Sequence, residues 1–311
     1  MPIPKYLYLT NIPDLHAELI RAECRALTGV EPNDHGIAIS ERCVDVRRGA
    51  FVRSSTEILF EGTSVSELCA ELKSAALHAD DFRVSVAKRP RNLQVDTLQT
   101  ADLIGNAISG TPDLTQPRVV FATVVTNERI WLGRLLSKSD GRWVAHSRRP
   151  HTTSSSLPTR IARAMVNLVA SPRDRLLDPC CGTGTIVLEA AQMGMTVVGC
   201  DINPRMVGAV QKNLAHYGLS AQTYLGDARH IQGDFDTVVT DLPYGIRLEG
   251  DMSRDREILQ NVRQLAPKAV FVDVRNLDEQ LVDLGYSVKT VIPVPKHSIV
   301  RKIFVTATDT F

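Results

Sequence analysis

The chain has 311 residues, an apolar share of 43%, a charged share of 23% and a formal net charge of +1. That is room for about two globular domains at roughly 150 residues each, and it excludes a polycationic nucleic-acid coat. No apolar run approaches the roughly 18 residues of a membrane span, and the opening MPIPKYLYLTNIPD lacks a secretory signal's charged start and long apolar stretch, so a cytoplasmic chain with no membrane partner is expected.

The first half reads as α+β. Tyr6–Leu9 is a short predicted strand, and a helix capped by Asp14 follows to about Leu27. Strands are predicted at Gly36–Ser40, Cys43–Val46 and Glu57–Phe60. Ser64 caps a helix from Val65 to about Leu77, with Leu68, Leu72 and Ala76 on one face. Phe82–Arg89 alternates as a strand with a partly basic polar face, Thr97–Ile108 reads as a helix, and Val119–Val125 with Ile130–Leu136 reads as a hairpin. Charge is unevenly spread. Residues 1–81 carry 8 Lys/Arg against 13 Asp/Glu, and residues 82–150 carry 11 against 5, so the middle segment can attract phosphates. Ser147–Ser156, SRRPHTTSSS, is short, polar and broken by proline, and reads as a linker.

The second half alternates strand and helix. Arg175–Leu177, Thr196–Cys200, Ala221–Leu225, Thr237–Thr240 and Val270–Val272 are short apolar runs separated by helical stretches, the pattern of a mostly parallel sheet covered on both faces. Val288–Ile292 and Val300–Val305 leave no room for a crossover helix and are expected as antiparallel neighbours. Cys24, Cys43, Cys69, Cys180, Cys181 and Cys200 show no C-x-x-C spacing, so they are expected as reduced, mostly buried thiols and no metal site is expected.

Two stretches carry chemistry. The strand ending at Leu177 runs into Asp178-Pro179-Cys180-Cys181-Gly182-Thr183-Gly184-Thr185 and then a helix from Ile186. Glycines at such a turn let backbone N–H groups approach a ligand. Val187 stands where a dinucleotide loop has its third glycine, and Asp178 disfavours a pyrophosphate but suits a cationic amino group. Asp201, followed by Ile202 at the end of the next strand, can accept hydrogen bonds from ribose hydroxyls, and Gly226-Asp227-Ala228 adds a third acid in order. The fourth strand ends in Asp241-Leu242-Pro243-Tyr244-Gly245. The Asp241 carboxylate and the Leu242 carbonyl can hold the two N–H bonds of an exocyclic amine, Pro243 aims that carbonyl, and Tyr244 offers a ring for an extruded base.

In this order these stretches resemble the amino-methyltransferases with a D/N-P-P-Y/F signature. His151–Leu168, Asp201–Ala209 with Asn213 and Leu214, and His297–Arg301 resemble the THUMP-containing tRNA guanine N2-methyltransferases. The resemblance implies an N-terminal α+β module, with a ferredoxin-like part over 1–63 and a THUMP RNA-docking domain over 64–146. A linker at 147–156 and a Rossmann-like, seven-stranded class I methyltransferase domain over 157–311 complete the expected α/β architecture. It implies S-adenosyl-L-methionine bound through Asp178, Cys180, Gly182, Thr183, Gly184, Thr185, Asp201, Ile202, Asp227 and Ala228, and methyl transfer to N2 of guanine 10 of tRNA by Asp241, Leu242, Pro243 and Tyr244. It also implies tRNA as partner, and a small zinc-binding activator subunit as a further one. Leu242 replaces the usual proline and Cys180 a common bulky apolar residue. An adenine N6-methyltransferase on RNA or DNA shares Asp241 and Tyr244, and a non-catalytic RNA-binding protein of the same fold is a reading from another class. A dehydrogenase leaves Asp241–Gly245 unexplained.

Overall fold

The structure, a computed structural model, describes residues 3–243, 252–296 and 299–308. Tyr244, Gly245, His297 and Ser298 lie outside the described residues. The chain divides into two compact units. Unit one comprises Met1–Pro13, Leu27–Arg47 and Phe51–Ser139, and unit two comprises Asp14–Ala26, Arg48–Ala50 and Asp140–Phe311. Helix α1 (Ala17–Thr28) falls almost wholly in unit two.

Unit one is built on a six-stranded sheet of β1 (Tyr6–Thr10), β2 (Ile37–Ser40), β3 (Val52–Gly62), β4 (Phe82–Lys88), β5 (Val119–Val125) and β6 (Ile130–Lys138), in the order β2-β1-β3-β6-β5-β4. β3 pairs with both β1 and β6, so strands from either side of residue 63 share one sheet. β5 and β6 form the expected hairpin, Val125 opposite Ile130, and β4 pairs with β5 in parallel. Helix α2 (Val65–Ser74) is capped by Ser64, whose side chain accepts from Glu67 N, and α3 (Thr97–Gly105) by Asp96. Leu68, Leu72, Phe82, Ile104 and Phe121 close the core between these helices and the sheet. Two strand expectations change. Cys43–Val46 is not a strand: Val44 N donates to Tyr8 Oη (2.9 Å), and a 3₁₀ turn starts at Val46. β3 runs well beyond Glu57–Phe60, because Ser55 and Thr56, polar in sequence, are buried within the ladder.

Unit two carries a seven-stranded sheet of β7 (Arg175–Asp178), β8 (Thr196–Asp201), β9 (Gln222–Leu225), β10 (Thr237–Asp241), β11 (Lys268–Asp273), β12 (Tyr286–Lys296) and β13 (Ile299–Thr308). The order is β12-β13-β11-β10-β7-β8-β9. β7 through β11 pair in parallel, and β13 runs antiparallel to both β11 and β12, as the short connection demanded. β7 sits beside both β8 and β10, so the strand order reverses there, and the crevice beyond the carboxyl ends of β7 and β10 is where such sheets bind ligands. The short helix α4 (Trp143–His146) and helix α5 (Thr159–Val169) precede the sheet; α6 (Thr185–Gln192), α7 (Pro204–His216), α8 (Met252–Leu265) and α9 (Asp278–Asp283) alternate with its strands. α7 starts where Asn203 accepts from Arg205 N, with Pro204 in the first turn.

Candidate active site

The β7–α6 turn depends on Gly184, which takes φ +85; a Cβ there would lie 2.2 Å from Val210 Cγ2 of α7. Val187 has its own accommodation. Gly199 of β8 faces it, and a Cβ on Gly199 would lie 2.9 Å from Val187 Cγ2. The close helix–strand approach is thus made by a glycine on the strand instead of one on the helix.

A cavity of about 300 Å³ opens at this turn. Asp178, Cys180, Gly182, Thr183, Thr185, Asp201, Asp241, Leu242 and Pro243 line it, together with Ile186, Met206 and the stretch Ser155–Leu157. A smaller cavity of about 130 Å³ is lined by Cys180, Asp201, Ile202, Asp227, Ala228 and Pro243. The structure therefore brings nearly all the expected cofactor and amine positions to two cavities that share Cys180, Asp201 and Pro243. Gly184 is the exception: it shapes the turn and lines neither cavity. Tyr244 lies outside the described residues.

The three acids differ in surroundings. Asp178 is buried; its Oδ1 accepts from the Thr240 hydroxyl (2.9 Å) and Cys180 N (3.3 Å). Burial, with the nearby Asp241 and Asp201 charges, pushes its carboxyl up to about 8 against those hydrogen bonds. Asp201 accepts from Gly182 N (2.8 Å) through Oδ2 and from Asn203 N (2.8 Å) through Oδ1, tying strand end to glycine turn. Asp227 caps the turn Ala228–His230 and pairs with Arg229 (2.6 Å), which holds its carboxyl down at about 2 and keeps it charged. Burial pushes the Cys180 and Cys181 thiols well up and Cys200 to about 11, so all three stay protonated. No group of His, Cys, Asp and Glu able to hold a metal occurs among the described residues.

Leu242 has a physical reason to depart from proline. Its N–H donates to Val272 O (3.1 Å), continuing the β10–β11 ladder, and its side chain is buried in the core. Proline can do neither the donating nor the same packing.

Sequence reading missed the support behind the turn. Arg163 and Glu189 are fully buried; Glu189 lies 2.7 Å from His146 Nδ1 and 3.3 Å from Arg163 Nη1, and Arg163 also reaches Asp140 (2.8 Å). Arg149 donates to the Thr185 hydroxyl (2.8 Å), and Asn213 Nδ2 donates to the carbonyls of His151 (2.8 Å) and Thr183 (2.9 Å). The SRRPHTTSSS stretch is thus bonded to α6, α7 and the turn itself. The available signal was a lone charge in an apolar helix, Glu189 within Ile186–Ala191 and Arg163 within Ile161–Val166.

Residues 146–268 match the RMKL-like methyltransferase domain family. A tRNA (guanine(10)-N2)-dimethyltransferase of Methanothermobacter thermautotrophicus is 32% identical over 254 residues, covering 74% of this chain and 76% of the relative. One from Pyrococcus abyssi is 36% identical over 152 residues, 46% of each chain. The crystal structure of TrmN from Thermus thermophilus superposes with a TM-score of 0.51 at 20% identity, covering 98% of this chain and 99% of that one, a likeness of fold.

Proposed function

The chain belongs to the tRNA guanine-N2-methyltransferase family, and from that premise we propose that it transfers a methyl group from S-adenosyl-L-methionine to the exocyclic N2 of a guanine in tRNA, guanine 10 being the favoured position. The observation that carries the reading is the juxtaposition of Asp178, Asp201 and Asp241 around one cavity at the sheet's switch point. The residues fit the cofactor: a buried carboxyl suits its cationic amino group, a strand-end acid suits ribose hydroxyls, and the smaller cavity beside Ile202 and Ala228 suits a flat base.

When bound, S-adenosyl-L-methionine supplies an electrophilic methyl. Asp241 and the Leu242 carbonyl accept the two N–H bonds of the guanine amine, leaving its lone pair free to be aimed. Asp241 opposes the positive charge that grows on nitrogen and is placed to take the proton lost afterwards. Leu242 is held by its bond to Val272, so the carbonyl that orients the amine is anchored to the sheet.

Residues 64–146 are assigned tRNA docking, in keeping with the basic 82–150 stretch. A small zinc-binding activator subunit is a further proposed partner, and the cytoplasm the proposed location. No helix of the described residues is long and apolar enough to cross a membrane. Incubating the chain with labelled cofactor and unmodified tRNA, then mapping the methylated nucleoside by mass spectrometry, tests the assignment. N2-methylguanosine is expected; methyl on adenine N6, or none, would refute it.

The raised Asp178 carboxyl adds a pH prediction. Below about 8 the ligand-free site holds a proton there, and a cationic ligand must displace it. Cofactor affinity should therefore weaken as pH falls below 8, by up to about tenfold per unit, with proton release seen by calorimetry in buffers of different ionisation enthalpy. Asp178→Asn should bind more weakly and without this pH dependence. A wild-type affinity that stays flat from pH 6.5 to 8.5 would separate Asp178 from the cation.

A further inference from the structure

A third cavity in unit two, of about 320 Å³, shares a wall with the larger cofactor cavity, since Leu157 lines both. Its apolar lining is Leu157, Pro158, Ile161, Val272, Val294 and Pro295. Its polar lining is His16, Arg160 and Arg301. Val272 stands in register with Asp241 across β10 and β11, and its carbonyl accepts from Leu242 N. Arg301 pairs with Val294 across β12 and β13, and Arg301 Nη2 donates to the carbonyl of Ser155, which lines the cofactor cavity. This third cavity therefore adjoins the proposed amine-binding turn, at the carboxyl end of the sheet.

The two cavities contrast in charge. Asp178, Asp201 and Asp241 line the 300 Å³ cavity; no carboxyl lines the 320 Å³ one, which has two guanidinium groups. Apolar walls with donors at one side fit a flat, apolar-faced base whose edge accepts hydrogen bonds. Guanine presents O6 and N7 as acceptors, whereas adenine places a donor, N6, in the position of O6. Guanidinium groups can only donate. Burial, then the Arg160 charge, holds the His16 imidazole below its ordinary range against Asp14, so at neutral pH the ring offers one donor and one acceptor.

We propose that this third cavity receives the ring of the extruded target guanine, with Arg301, Arg160 and His16 reading its edge while its amine sits at Asp241 and Leu242. The inference rests on the guanine N2 reading given above. It makes Leu157 the partition between cofactor and base, and it supplies a reason for discrimination against adenine.

The test is single-turnover methyl transfer to tRNA by Val294→Phe, whose added ring occupies the cavity, with cofactor affinity measured by calorimetry and the thermal midpoint recorded. The transfer rate should fall on the order of 10²-fold, the size of loss that a misplacement of about 1 Å brings, with cofactor affinity unchanged. Val294 is buried, so His16→Ala at a half-buried position provides a second variant if the first does not fold; it should lose roughly tenfold in rate through an unmade hydrogen bond. Wild-type rates in either folded variant would overturn the cavity assignment. Product mapping on the unaltered chain tests the guanine reading separately: methyl on another base refutes that reading and the edge recognition argued from it, whatever the variants do.

Discussion

Asp241→Ala is expected to abolish methyl transfer while leaving cofactor affinity nearly intact. Asp241 ends β10 and lines the proposed cofactor cavity beside Leu242 and Pro243 without reaching the smaller one, whereas Asp201 lines both and Asp227 lines the smaller. An acceptor that engages the amine strengthens its interaction as nitrogen gains positive charge, so its loss appears in turnover more than in binding. Losing a preorganised charge of this kind costs roughly 10²–10³ in rate. Removing Asp241 also takes away one of the charges that raise the Asp178 carboxyl, so any change in cofactor affinity should be a modest tightening at neutral pH. Asp241→Asn keeps an acceptor without the charge. Partial activity there would mean that positioning dominates; near-complete loss would mean that the charge does. Single-turnover rates and calorimetry on the same preparations decide the matter, and a catalytically normal Asp241→Ala chain with normal cofactor binding would eliminate the mechanism.

The second large effect falls on stability. Glu189→Ala should destabilise unit two by about 1–3 kcal/mol, the cost of leaving buried hydrogen-bonding groups without their acceptor, while Arg163 keeps Asp140 at 2.8 Å. Arg163 would lose a carboxylate at 3.3 Å and His146 one at 2.7 Å, and both side chains are buried. Glu189→Gln keeps the shape and one acceptor and should cost less. Urea midpoints with an unchanged slope would measure the difference; a midpoint shift of Glu189→Ala no larger than that of a surface substitution would show the network to be dispensable. The same network bears on truncation. A fragment of residues 157–311 lacks Asp140 and His146, and also Glu23 and Arg48, which bond Asn167 at 2.6 and 2.7 Å. Such a fragment is expected not to fold, so the proposed tRNA-docking role of the basic segment is better tested by charge reversal in the whole chain.

Much of the catalytic half was legible because its signals are local. Apolar runs of strand length, separated by helical stretches, specify a parallel sheet, and the missing crossover between the last two strands specifies their antiparallel pairing. Acids placed at the ends of successive strands must all fall at the carboxyl ends, so the sequence alone gathers Asp178, Asp201, Asp227 and Asp241 at one edge. Gly184 was legible as a turn residue but not as a packing one, because its clash partner, Val210, comes from a different helix.

What only the tertiary structure decided depends on partners distant in sequence. Ser55 and Thr56 read as polar and lie buried in β3 because the ladders on both sides satisfy their backbone. Ser147–Ser156 reads as a linker, since nothing local shows that its His151 and Arg149 bond Asn213 and Thr185. The order of the strands, the use of the Leu242 N–H by Val272, and the third cavity, which His16 and Arg301 both line, each require separate segments of the chain to come together. The sequence by itself determined the chemistry available at the strand ends, because side-chain type and period are written residue by residue; folding decided which of those groups are buried, charged and adjacent, because burial and electrostatic coupling belong to pairs.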